Sequence, residues 1–259
     1  MLDLLAPRGI VVALYALFIS LTAVALVLAH WVRRRPSLAL SPSLLSPLGS
    51  LYSLTTAFLL SNVIFQYTNL RTAITQEVVT LNKLAAVMAV LPAEQRIEGR
   101  RLLYDYGEST ALDEALTMHK GERSERTQDA MDHLRDFLAS PDAALTEPSG
   151  NNHTPESANY LRKASDLGFD LIDARERRLS LVRQTLPPQL WRSIALMYFA
   201  LALPAFLVHS DRTSLTWVTV ILLLSAPVPA VLLALYSNPF ASGLINMTAT
   251  LDAVLERSL

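Results

Sequence analysis

The strongest constraint on this chain is a set of long runs, near both ends, whose interiors contain no charged side chain. From about Ile10 to Trp31 nothing ionisable precedes His30. About 20 apolar residues suffice for a helix to cross the ~30 Å hydrocarbon core of a bilayer. Three further runs qualify: Leu48 to Tyr67, Leu190 to Val208 and Leu215 to Leu235. A secretory signal would show a basic start, a short apolar core and a small-residue cleavage site. Here Asp3 and Arg8 precede a long apolar run, and Arg33, Arg34 and Arg35 follow it. That pattern marks a stop at a membrane surface, so the first run is read as a retained helix. The expectation is an all-α integral membrane protein with four transmembrane helices, two N-terminal and two C-terminal.

Charge is concentrated between the two pairs. Of 22 Lys and Arg, 15 lie between Tyr67 and Leu190, as do 19 of 23 Asp and Glu. The organisation expected is therefore helices 1 and 2 in 1–67, a helical soluble domain in 68–189, a transmembrane hairpin in 190–236 and a tail in 237–259. The acidic, mixed-charge middle offers no electrostatic footprint for nucleic acid. The absence of Cys excludes disulfides, thiolate zinc sites and Cys nucleophiles. His30, His119, His133, His153 and His209 form no metal-site pattern, and no cofactor is expected. With no Asp, Glu, Lys or Arg in the core of any span, a proton-driven pump is disfavoured. The two hairpins show no inverted repeat, which weakens a transporter reading. Nothing assembles a nucleophile, base and oxyanion site, so an enzyme is not expected. Pro204, Pro227 and Pro229 predict kinks in the C-terminal spans.

In the middle region, helical character continues from the second span. Leu70, Ile74, Glu77, Leu81, Leu84, Met88 and Leu91 recur at spacings of four and three, a heptad stripe that Pro92 ends. A second helix is expected over Ala93 to Glu108, packing through Ile97, Leu102, Leu103 and Tyr106 and punctuated by Gly107 and Gly121. A third is expected over Glu122 to Leu138. Ser140 to Ser157, with Gly150-Asn151-Asn152, reads as an exposed loop. The last soluble helix is expected over Glu156 to Leu186.

Several constellations carry possible function. Gly49, Ser53, Ala57 and Ser61 recur every four residues, and small residues at that spacing let helices approach closely in lipid. The packing is either within the chain's own bundle or between subunits. Thr55, Asn62, Gln66 and Asn69 share another face, which suits either a pore lining or buried interhelical hydrogen bonds. Phe58 and Phe65, seven apart, suit an aromatic constriction in an oligomeric pore, or core and lipid contacts. Glu77 stands alone in an apolar stripe. A buried carboxylate must be paired or neutralised, so an Arg or Lys from another soluble helix is the expected partner, with ion binding as the alternative. Arg175, Arg177, Arg178 and Arg183, with Arg192, read as a solvated basic face, or one touching lipid headgroups or acidic helices.

Several features occur in a specific order. Gly49-Ser50-Leu51-Tyr52 opens the second span, and Glu77 follows. Next come Leu91-Pro92 and an Arg-rich helix with Tyr104 and Tyr106. Ala174-Arg175-Glu176-Arg177-Arg178-Leu179 precedes Pro188-Gln189-Leu190-Trp191, and Asn238-Pro239-Phe240-Ala241-Ser242-Gly243 lies near the end. Taken together the chain resembles the bacterial bestrophin-like domain membrane family, distantly similar to bestrophins. The resemblance implies an ion channel: bestrophins are pentameric chloride channels with four transmembrane helices per subunit and a pore lined by the second. They bind calcium at an acidic clasp, for which no cluster is visible here, and Asn238 stands where an acidic residue is usual. The implied function is an oligomeric passive anion channel, with Thr55, Phe58, Asn62, Phe65 and Gln66 as candidate pore residues. The alternative is a non-conducting scaffold or accessory subunit binding another protein through the Leu70 to Leu91 seam. The expected location is the bacterial inner membrane, with the lipid bilayer and further copies of the chain as partners. Arg33 to Arg35 and Arg212 favour a periplasmic middle by the positive-inside rule. The basic run before the third span, and bestrophin analogy, favour a cytoplasmic one.

Overall fold

The computed structural model describes residues 6–34, 41–118, 122–139, 155–182, 186–209, 211–237, 239–240, 242 and 244–245. Every regular element among these residues is helical. They divide into two compact units. One takes the described residues up to Tyr67 and those from 186 to Leu244; the other takes those from Thr68 to 182 and Ile245. The loop expected at Ser140–Ser157 lies outside the described residues as far as 154. So do Arg35, His119, Gly121, His153, Arg183, Asn238, Ala241, Gly243 and the tail from 246.

The first unit is built for lipid. It contains α1 (Ala6–Arg33), the first half of α2 (Leu45–Met88), α7 (Pro188–Val208), α8 (Arg212–Ser225) and α9 (Pro227–Ser237). Four stretches are long and apolar enough to cross a membrane: Val11–Arg33, Pro42–Met88, Gln189–Val208 and Arg212–Ser237. This is a multi-pass membrane protein. Its fourth span is two helices rather than the single one expected over Leu215 to Leu235. Pro227 and Pro229 supply no backbone N–H, so the helix yields at Ala226 and restarts. The Tyr52 hydroxyl donates to the Ala226 carbonyl at this break, 2.9 Å away, satisfying a polar group that lipid cannot. Pro204 lies within α7 without ending it.

Lipid tails are as apolar as Leu, so the bundle needs close packing and hydrogen bonds to cohere. Ala25 and Ala29 of α1 and Ala202 and Ala205 of α7 are buried in one core with Phe18, Val63 and Phe206. Phe18 meets Tyr198 edge-on at 4.7 Å. The Tyr198 and Thr22 hydroxyls share a 2.6 Å hydrogen bond.

The second unit follows the rules of a water-soluble bundle. It contains the second half of α2, α3 (Ala93–Ser109), a π turn (Thr110–Glu114), α4 (Ala115–Met118), α5 (Glu125–Ala139) and α6 (Pro155–Val182). Leu70, Ile74, Glu77, Leu81, Leu84, Met88 and Leu91 are all buried. The seam is thus spent inside the chain's own bundle, which corrects the expectation that it serves as a docking surface for a partner. Two glycines permit close helix approach. A Cβ on Gly168 would stand 2.4 Å from Leu138 Cδ1, and one on Gly99 3.0 Å from Met88 Sδ. Two further expectations are corrected. Ile97 is 68% exposed while Leu103 and Tyr106 are buried, so α3 turns a different face inward. Gly107 does not punctuate the helix; it is buried within it.

Candidate functional site

Two features carry chemistry, one in each unit. The soluble unit encloses a chain of ion pairs. Arg178 donates from Nε to Glu77 Oε2 at 2.5 Å and from Nη2 to Glu77 Oε1 at 3.1 Å. The same Nη2 reaches Glu114 Oε2 at 2.5 Å. Arg175 Nη2 donates to Glu114 Oε1 at 2.7 Å, and its Nη1 to Gln128 Oε1 at 2.7 Å. The Tyr106 hydroxyl closes the other end, donating to Glu77 Oε1 at 2.6 Å. Glu77, Tyr106, Glu114, Arg175 and Arg178 are all buried. Two guanidiniums face two carboxylates, so the network is neutral, and helices α2, α3, α5 and α6 and the π turn each contribute a member.

The local sequence explains the convergence. Arg175 and Arg178 are three apart on α6 and therefore share a face. Glu114 follows Tyr106 by eight residues, whereas two α-helical turns take about 7.2. The wider π turn absorbs the extra residue and brings Glu114 back to the face of Tyr106. Burial alone would raise the Glu114 carboxyl. The guanidiniums of Arg178 and Arg175 more than offset this and hold it below the ordinary carboxylate range. Burial would likewise lower Arg178, but Glu77 and Glu114 drive it above the usual arginine value. Tyr106 is pushed well up, first by burial and then by the charge of Glu77, so its hydroxyl stays a donor.

The basic run, read as a solvated face or as one touching lipid headgroups or acidic helices, is therefore split. Arg177 and Arg192 are exposed, while Arg175 and Arg178 are buried partners of Glu114 and Glu77. Glu114 escaped sequence reading because only the π offset brings it into line. With no unpaired charge left over, the network is suited to fixing how five elements meet, not to holding an ion.

The second feature is the outer face of α2 in the membrane unit. At about 100° per residue, Tyr52, Thr56, Leu59 and Val63 form one stripe, and all are buried. On the opposite side Leu54, Phe58 and Phe65 are exposed at 72%, 69% and 64%. Asn62 lies exposed among them, and Thr55 and Gln66 at its edge are half-buried. Between the two faces runs the small-residue flank: Gly49 is half-buried, and Ser53, Ala57 and Ser61 are exposed. Ser53 and Ala57 line a cavity of about 380 Å³ with Leu60, Leu201, Leu222 and Pro229.

Comparison with known proteins agrees with this architecture. The bestrophin-like domain model matches residues 12–244. A solved structure described as a membrane protein shares the fold with a TM-score of 0.70 at 13% identity, covering 96% of this chain and 97% of its own. A variant of a bacterial bestrophin homolog from Klebsiella pneumoniae has a TM-score of 0.70 at 13% identity, covering 97% of each chain. Another variant of that homolog gives 0.67 at 14% identity, with 96% and 97% covered. No curated protein sequence matches the chain.

Proposed function

The chain belongs to the bestrophin-like domain family, and from that membership we propose that it forms an oligomeric, passive anion channel whose pore is lined by α2. The observation that supports this most is the outward face of α2. It combines exposed Phe58 and Phe65 with an exposed amide, Asn62, within a membrane-spanning stretch. An uncharged polar group at that depth calls for protein or water around it rather than lipid. A ring of such helices meets that need: Thr55, Asn62 and Gln66 face water, and the Phe rings form constrictions that gate by dewetting. The flank of Gly49, Ser53, Ala57 and Ser61, with its cavity, is then the seam on which the neighbouring subunit packs. Four helices per chain leave no room for a pore in a monomer, so the ring must close. The lining carries no ionisable group, which fits conduction without coupling. The preference for anions rests on the family resemblance alone.

The channel is assigned to the bacterial inner membrane, with the Arg33, Arg34 and Arg212 end at the cytoplasmic face. Because the chain has no native Cys, single cysteines at Ser43 and at Ile97 give an unambiguous labelling test of that orientation.

The function is tested by counting subunits with native mass spectrometry and measuring chloride flux from liposomes. A closed ring of four or more with measurable flux is expected, and Phe58→Ala should raise conductance several-fold by widening the constriction. A monomer or dimer, or flux that Phe58→Ala and Phe65→Ala leave untouched, would remove α2 from the role of pore lining.

A further inference from the structure

We propose that the end of the membrane unit where α1, α7 and α8 meet binds the headgroup of an anionic phospholipid. Three of the spans terminate there, at Arg33, Val208 and Arg212. Arg33 fixes the meeting point. Its guanidinium donates to the carbonyls of Phe206 and His209 at the end of α7. That contact holds a cation at the negative end of a helix and draws α1 against α7. Arg34 is exposed next to it, its Nη2 3.1 Å from His30 Nε2. Arg212 is exposed at the first residue of α8.

Among the described residues of the membrane unit Asp211 is the one carboxylate, and it is already engaged. It caps α8 by accepting from the Ser214 N–H at 2.8 Å, which holds it below the ordinary aspartate range. The end therefore presents a surplus of positive charge where the spans leave the hydrocarbon.

The aromatic residues set the depth. Trp31, 54% exposed, stands two residues before Arg33. Trp217, 63% exposed, lies five residues into α8, about 7.5 Å below Arg212 along the helix. Indole rings concentrate at headgroup level because one edge is polar and the body apolar. Exposed guanidiniums and exposed indoles at the same end of the spans match a phosphodiester headgroup with its acyl chains in the surrounding lipid. A soluble anion would gain the charge but not the aromatic contacts. Clustered basic residues at such a level each add roughly 1 kcal/mol to attraction for anionic lipid.

The experiment uses the full-length protein in detergent, titrated with palmitoyl-oleoyl phosphatidylglycerol or its phosphatidylcholine counterpart and read by native mass spectrometry. Phosphatidylglycerol should be retained preferentially. Arg34→Gln with Arg212→Gln, which spares the capping Arg33, should cut that preference by about 30-fold, the effect of two charges. Arg177→Gln, exposed on the soluble unit, should leave it intact. High salt should erode the preference of the unaltered protein, which keeps the test valid if the double variant folds poorly. Equal retention of the two lipids, a preference unchanged in a folded double variant, or displacement of the lipid by millimolar inorganic phosphate would each overturn the proposal.

Discussion

The two units solve opposite problems with the same kind of helix. The membrane unit places its charges at the rim and buries alanines, aromatic rings and hydroxyls. The soluble unit buries two arginines and two glutamates at its centre and surrounds them with leucines. The difference lies in the solvent. In water the apolar stripe from Leu70 to Leu91 gains roughly 25 cal/mol for each Å² it removes from solvent, enough to carry a neutral ionic cluster inside. In lipid no such gain exists between helices, so cohesion falls to close approach and short hydrogen bonds. A buried charge in the membrane unit would have nothing to offset it.

The sharpest way to break this contrast is to remove one member of the ionic cluster. Arg178→Met leaves Glu77 and Glu114 facing each other without their shared cation and should cost about 3–5 kcal/mol, the usual penalty for an uncompensated buried charge. Segment-resolved hydrogen exchange should show lost protection in α5 and α6 while α1 and α7 keep theirs. Equal loss in both sets would show that the two units are not energetically distinct.

Acid probes the same cluster. The Glu114 carboxyl lies below its unfolded value, so its stabilisation is complete above about pH 4.5 and declines as pH falls toward its lower folded value. Helical signal from the soluble unit should therefore hold from neutrality down to that point and weaken below it. A transition near pH 6 would mean that some other group governs stability.

Overpacking tests the membrane unit. Ala202→Leu, at a position with no exposed surface, should cost about 1–3 kcal/mol by forcing α1 and α7 apart. Thermal melting in detergent measures it. Phenylalanine at exposed Leu224 is the matched control and should be neutral. Smallest of all is Thr22→Val, which removes the hydrogen bond to Tyr198 and should cost only ~0.6 kcal/mol, typical of interhelical bonds in bilayers. A loss of several kcal/mol there would mean that polar contacts, not close packing, hold the bundle.

Much of this was legible from residue order. The spans follow from uncharged length, and the stripe from Leu70 to Leu91 has a period that only a helix with one buried face satisfies. Glu77 announced itself as a carboxylate among apolar neighbours. Its partner did not: Arg178 sits in a run of arginines whose composition suggests solvent, and only tertiary packing decides which of Arg175, Arg177 and Arg178 turn inward. Ile97 misled because α3 is mostly polar, so one isoleucine says little about which face is buried. Gly107 reads as a stop because glycine is a poor helix former, yet it lies buried within α3. The break at Ala226 agrees with the kink that Pro227 and Pro229 predict, but the Tyr52 hydroxyl that satisfies the carbonyl there is a tertiary contact that residue order does not show.

The π turn has a consequence for charge balance. With it, the stretch from Tyr106 to Glu114 holds about one residue more than two α-helical turns need. Deleting one residue between Ala111 and Asp113 would yield a smoother, locally better helix. It would also swing Glu114 by about 100° and leave two guanidiniums sharing one carboxylate. A relative with a one-residue gap there must have balanced that charge some other way. That single position therefore decides whether the charges of this core can balance.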